Sequence, residues 1–292
     1  WEGFEYKRRP LRPHLHIVRS SHRETMIAVK KAIESGQMSP AVDAVNRVQA
    51  VAFKINKAVL EVQEACWEGG IDVGGLPRKK PEKAPQRPDG WDFLSEDEQK
   101  AWKIEAAAKR DLRRALVGQN ACLAADLAIA NHLKEAPAFW CLHSFDWRGR
   151  VYPLSHFNFQ REEHIRALFL FRDGQPIGER GIWWLKVHLA NCGDFDKVSK
   201  RPFEERVAWV DQNTDAIQQC ALDPLGTEWW RKADKPFLFL AACIELSNAL
   251  CVGPEFITHL PVSWDGSCSG LQHLCAMSRA EEGALVNLTA SP

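Results

Sequence analysis

The pattern of the chain changes at Pro137, and that change restricts the architecture more than any other feature. Upstream, apolar residues recur at helical spacing. Val42, Val45, Val48, Val51, Ile55, Val59 and Val62 follow one another at intervals of three and four, which predicts one long amphipathic helix over 40–69 closed by Gly69-Gly70. A second helical zone is predicted over 95–135, where Ser95 and Glu98 have capping-box spacing. Residues 71–90, rich in Gly, Pro and Lys/Arg, read as a mobile loop or linker between the two. Downstream of Pro137 the apolar runs are shorter and more aromatic. Strand and loop are predicted over 139–152, a short buried strand over 165–171, and helices over 181–191, 202–220 and 227–250. A strand over 256–264 then runs into a helix over 267–282. The fold class is α+β, predominantly helical, with a boundary near residue 137.

Composition narrows the class of function. With 292 residues and 45% hydrophobic content, the chain holds enough apolar material for a substantial core. Lys+Arg and Asp+Glu number 38 each, so no bulk positive field draws in a polyanion, and a nucleic-acid partner would have to meet local basic surface. Two such places exist. Residues 2–31 hold eight Lys/Arg against three Asp/Glu, and residues 101–120 hold five (Lys103, Lys109, Arg110, Arg113, Arg114) against Glu105 and Asp111. By spacing alone the second reads as a solvated helix face. The nine cysteines contain no C-x-x-C, which argues against a zinc or thioredoxin site and suits a reducing, intracellular compartment. No apolar run reaches the roughly 18 residues of a membrane span, and no signal-peptide pattern is seen. The sequence starts at Trp1 rather than Met and stops at Pro292, so both ends read as cut from something longer.

Two stretches carry residues suited to chemistry. Ser263-Trp264-Asp265-Gly266-Ser267-Cys268-Ser269-Gly270-Leu271-Gln272-His273 has the form strand end, acid, small-residue turn, helix start. An acid there serves as an N-cap or as a metal ligand beside a backbone that a phosphate can approach. Gly266-Ser267-Cys268-Ser269-Gly270 also fits a thiol version of the hydrolase nucleophile elbow, with His273 the nearest base. The second stretch, Asp146-Trp147-Arg148-Gly149-Arg150-Val151-Tyr152, sets two forked phosphate donors beside two stacking rings. It reads equally as a β-turn with exposed arginines and a half-buried tryptophan. His14-x-His16 lacks acid partners, His188 falls on an apolar helix face, and the pairs Trp183-Trp184 and Trp229-Trp230 read as packing anchors.

Taken in order, "RRPL" at 8–11, "FKINKAVL" at 53–60, "DWRGRVY" at 146–152, "GIWWLKVHLAN" at 181–191, "PFLFLAACIE" at 236–245 and "DGSCSGLQH" at 265–273 resemble the single-subunit DNA-dependent RNA polymerases of bacteriophages, mitochondria and chloroplasts, the phage enzymes most of all. The resemblance implies nucleotidyl transfer from NTPs to an RNA 3′ end on a DNA template. Asp265 would ligate both of two Mg²⁺ ions, and Gly266 would offer its carbonyl to one. Trp147, Arg148, Arg150 and Tyr152 would contact the template, Lys103 the nascent RNA or template backbone, and Ser269 and Gly270 the template or hybrid near the active centre. It further implies the end of an amino-terminal domain over 1–50, a helical thumb over 51–136 and the first part of a palm over 137–292. The intact protein would be monomeric, in a host cytoplasm if viral or in an organelle if of mitochondrial type. The second metal-binding aspartate and the fingers Lys and Tyr of that family fall beyond this sequence, so the chain alone is not expected to polymerise. The alternatives are a non-catalytic nucleic-acid-binding module and a Cys268 hydrolase.

Overall fold

The computed structural model describes residues 17–279 apart from 21, 78–82, 84 and 264–268. Their elements run β1 (Val18–Arg19), α1 (Arg23–Glu34), α2 (Ser39–Gln49), β2 (Ala52–Ile55), α3 (Lys57–Gly69), α4 (Glu96–Leu133), β3 (Phe139–Trp140), β4 (His143–Asp146), β5 (Val151–Pro153) and α5 (Glu163–Arg166). They continue with β6 (Phe169–Phe171), β7 (Gln175–Pro176), α6 (Gly178–Gly193), α7 (Phe203–Gln212), α8 (Thr214–Leu222), α9 (Pro236–Val252), β8 (Ile257–Thr258) and α10 (Ser269–Ser278). The chain divides into two compact units at Leu260–Pro261, and α10 belongs to the second. The α+β, mainly helical class is as the sequence predicts.

The long helix predicted over 40–69 is instead a helix, a strand and a helix. β2 takes the middle, pairing antiparallel with β3 through Phe53 and Phe139 and with β6 through Phe53 and Phe171. Burial explains the change. Ala52, Phe53 and Ile55 are buried, whereas Val48 and Val51, which continued the helical repeat, are 41% and 39% exposed. The Phe53 ring meets those of Phe139, Phe159, Phe169 and Phe171, with centroids 5.2–6.2 Å away. That aromatic burial outweighs continued helix propensity. Gly69-Gly70 does end α3, Gly70 taking the left-handed conformation at φ 67°. The 71–90 segment also differs from a simple linker, since Val73 and Leu76 are buried in the main core.

α4 matches its predicted start. The Ser95 hydroxyl accepts from Glu98 N–H at 3.3 Å and Glu98 Oε2 accepts from Ser95 N–H at 2.9 Å, the reciprocal bonds of a capping box. The helix predicted over 202–220 breaks at Asn213, whose side chain donates to the Trp209 carbonyl at 2.7 Å, while Thr214 Oγ1 donates to Val210 O. These local bonds compete with helical continuation. Likewise 227–250 opens as a 3₁₀ turn at Trp229–Lys232 and becomes α-helical only from Pro236. The strand predicted over 165–171 begins as the single turn α5, and of 256–263 only Ile257–Thr258 pair as a strand.

α9 is apolar on all sides and lies at the centre, packed by α6, α8, α5 and α3. Its amino end is capped by Glu163, whose Oε2 accepts from the Phe237 and Leu238 N–H groups at 3.1 and 3.2 Å. Phe195 stacks on Trp229 at 4.9 Å and Trp230 is fully buried, so this tryptophan pair anchors packing as the sequence suggests. Sheets join the two sides of residue 137: β2 from the helical zone lies between β3 and β6, and β1 runs parallel to β4, which pairs with β5.

Candidate nucleic-acid interface

β4 and β5 form a hairpin whose tip is the Asp146–Arg150 loop. Asp146 N–H donates to Arg150 O at 2.9 Å and Gly149 N–H to Asp146 O at 3.0 Å. Gly149 sits at φ 80°, the left-handed position that closes a three-residue hairpin loop. The Asp146 side chain fills the loop: Oδ1 accepts from the N–H groups of Arg148 and Arg150 at 2.9 and 3.0 Å. Oδ2 accepts from Arg148 Nε at 2.8 Å and lies 2.7 Å from its Nη2. Partial desolvation pushes this carboxyl up, but the backbone donors and the guanidinium outweigh it and hold Asp146 below the usual carboxylate range.

Of the residues proposed from sequence, the hairpin brings Trp147, Arg148, Arg150 and Tyr152 together. Trp147 is 72% exposed, Arg150 is exposed, and Tyr152 is 39% exposed. The Arg148 guanidinium lies 5.7 Å from the Trp147 ring centroid and its Nη2 donates to the Tyr152 hydroxyl at 3.4 Å. The stretch is a β-turn with exposed arginines, as the plainer reading has it, but Trp147 is exposed rather than half-buried, and the arginines share the hairpin with two rings. Asp146 had no assigned role in the sequence reading. Its signal was present, since Asp at the first position and Gly at the fourth is a turn pattern, but the carboxylate's partners are set by the folded loop.

Lys103 lies on another element, in the first part of α4. Its ammonium sits 5.8 Å from the Trp91 ring, which Arg87 also approaches at 5.2 Å. Trp91 packs edge-on to Trp102 at 4.9 Å, and Arg110 lies 5.9 Å from Trp102. This ladder of cations and rings went unremarked in the sequence because Arg87 and Trp91 fall outside the 101–120 basic cluster. From residue 107 to 119 no α4 side chain is buried. Lys109 pairs with Glu105 at 2.6 Å and Arg114 with Asp111 at 3.4 Å, so part of the basic cluster is neutralised on its own helix. Further along, buried Asp126 ties α4 to the segment after β5 through Arg161 Nη2 at 3.2 Å and His156 Nε2 at 3.3 Å. Burial raises the Asp126 carboxyl, with Arg161 and His156 pulling the other way.

Asp265, Gly266 and Cys268 lie outside the described residues, as does His14-x-His16. Ser269 opens α10, with Gly270 beside it; a Cβ added at Gly270 would meet nothing within 4 Å. His188 is half-buried on α6, 3.6 Å from Cys192 Sγ. Burial, with Lys235 and Arg166 nearby, pushes its imidazole down to about 4, as befits a packing residue held neutral. Among the described residues no cluster of three or more His, Cys, Asp or Glu is placed to hold a metal, and no helix is long and apolar enough to cross a membrane.

The family model of DNA-dependent RNA polymerases matches residues 175–292. The DNA-directed RNA polymerase of Enterobacteria phage T3 is 40% identical over 261 residues, covering 88% of this chain and 29% of the relative. T7 RNA polymerase of Escherichia phage T7 is 38% identical over 268 residues, covering 90% of this chain and 30% of the relative. The chloroplastic/mitochondrial DNA-directed RNA polymerase 2B of Nicotiana tabacum is 35% identical over 297 residues, covering 99% of this chain and 28% of the relative. The chain thus spans less than a third of the length of each of these relatives.

Proposed function

Given that this chain belongs to the single-subunit DNA-dependent RNA polymerase family, we propose that it supplies the thumb and the first part of the palm of such an enzyme, which transfers nucleotidyl groups from NTPs to an RNA 3′ end on a DNA template. Similarity across 99% of the chain to the Nicotiana tabacum enzyme, with the family model covering DGSCSGLQH, carries the reading. In this reading residues 51–136 form the thumb, 137–292 the first part of the palm, and 1–50 the end of an amino-terminal domain. The protein acts as a monomer in a host cytoplasm or an organelle.

Trp147, Arg148, Arg150 and Tyr152 make the template contact, Lys103 meets the nascent RNA or template backbone, and Ser269 and Gly270 lie along the template or hybrid. The Asp265 carboxylate and the Gly266 carbonyl are hard oxygen donors of the kind Mg²⁺ takes. Two Mg²⁺ ions, when bound, would activate the attacking oxygen and steady the leaving one. One carboxylate does not suffice for two ions, so further ligands come from other residues of the enzyme.

Two measurements test the reading. The chain alone should bind an RNA–DNA hybrid, less tightly as salt rises. Joined to the remaining length of a phage relative, it should extend an RNA primer with NTPs and Mg²⁺, an activity that Asp265→Asn abolishes and Cys268→Ala spares. Ester hydrolysis lost in Cys268→Ala, with no extension, would establish the hydrolase instead.

A further inference from the structure

We propose that Asp146 is the positioning residue of the hairpin interface: it locks Arg148 into the frame of the loop, so that Trp147 and Arg150 are the groups presented to a nucleic-acid strand. The inference rests on the reading of 146–152 as a nucleic-acid contact and divides the labour within it.

The two arginines of this loop are not equivalent. Arg148 Nε and Nη2 both face Asp146 Oδ2, Nη2 also donates to the Tyr152 hydroxyl, and the Arg148 N–H is held by Asp146 Oδ1. Its side chain is 47% exposed against 18% for Asp146. Two-point pairing of this kind fixes a guanidinium in orientation and cancels its charge locally. Asp146 reaches Arg150 differently, through the backbone N–H at 3.0 Å, and the Arg150 side chain is exposed. Among the described residues no acid pairs with the Arg150 guanidinium, so the uncompensated charge of the tip resides there. On the same loop Trp147 is 72% exposed, with the Arg148 guanidinium 5.7 Å from its ring centroid. An exposed ring and an exposed arginine on one loop suit a single strand, where a base stacks and its phosphate pairs.

The test turns on a sign. Deleting a negative charge should tighten binding to a polyanion if Asp146 merely dilutes the local field. If Asp146 sets the frame, deleting it should weaken binding. Anisotropy of a labelled single-stranded DNA is measured on the whole chain over a series of salt concentrations. We expect Asp146→Ala to weaken binding about fivefold or more. Arg148→Lys, which keeps the charge and loses the two-point contact, should do likewise. Arg150→Gln should flatten the slope of log K against log salt by about 0.7, the loss of one single-strand phosphate contact.

Amide exchange without DNA checks the frame itself: the Arg148 and Arg150 N–H groups should exchange faster in Asp146→Ala while those of the α9 core do not. Equal or tighter binding by Asp146→Ala, undiminished binding by Arg148→Lys, or an unaltered slope in Arg150→Gln overturns the proposal. If the unsubstituted chain binds no single-stranded DNA at low salt, the interface reading itself falls, and this proposal with it.

Discussion

Glu163 is the residue at which burial and hydrogen bonding oppose each other most openly. Its carboxylate caps α9 through two backbone N–H bonds, with Arg166 and Lys235 nearby, yet desolvation prevails and raises it from 4.5 to about 7. A carboxyl raised in the fold is bound to its proton more tightly there than in the unfolded chain. Its contribution to stability is therefore complete below about 4.5 and declines as pH rises towards 7. His188 acts in the opposite sense. Depressed from 6.5 to about 4, it contributes stability above 6.5 that is lost as pH falls towards 4. Between pH 4.5 and 6.5 the two slopes offset each other. Glu163→Gln, which keeps an acceptor for the cap, should uncover the histidine slope. Its stability relative to the unsubstituted chain should rise between pH 5 and 8 by up to about 3 kcal/mol, read from urea unfolding at each pH.

At the scale of elements, β2 is the piece that joins most others. Four phenylalanine rings surround Phe53, and Phe53 pairs with both β3 and β6. Truncating it removes a buried ring and leaves a cavity between strands that cannot collapse freely. Phe53→Ala should cost about 3–5 kcal/mol by denaturant unfolding, against at most about 0.5 kcal/mol for Val48→Ala, whose side chain is 41% exposed. α4 is held otherwise. Its capping box secures the start, Leu123, Leu127 and Ala130 are buried near its end, and the stretch between depends on Ala, Leu, Lys and Arg, all good helix formers. A helix so anchored presents its middle turns to whatever passes, which suits the thumb role proposed for it.

For the molecule as a whole, zero net charge places any affinity for nucleic acid in local features such as the hairpin tip and the cation–ring ladder of Trp91 and Trp102. Stability, by contrast, is shared across the first unit. One core takes Phe53, Leu60 and Leu127 from before residue 137 and Phe169, Phe237 and Leu240 from after it. Residues 17–136 and 137–260 expressed apart should therefore each lack a cooperative thermal transition, and mixing them should restore one. Circular dichroism on heating decides the matter: a cooperative transition in either piece alone would show that each holds its own core.

Helix ends were readable locally. Ser95 with Glu98 and Gly69 with Gly70 act on backbone groups within a few residues of themselves, so the chain alone determined where α4 begins and α3 ends. The order of motifs likewise determined the family. The folded chain decided what depends on distant partners. Ala52–Ile55 became a strand because Phe139 and Phe171 lie ready to pair with it, a contact no local repeat encodes. Arg148 and Arg150 look alike in sequence, and only the closed loop, by turning Asp146 onto one guanidinium and onto the backbone of the other, made them different.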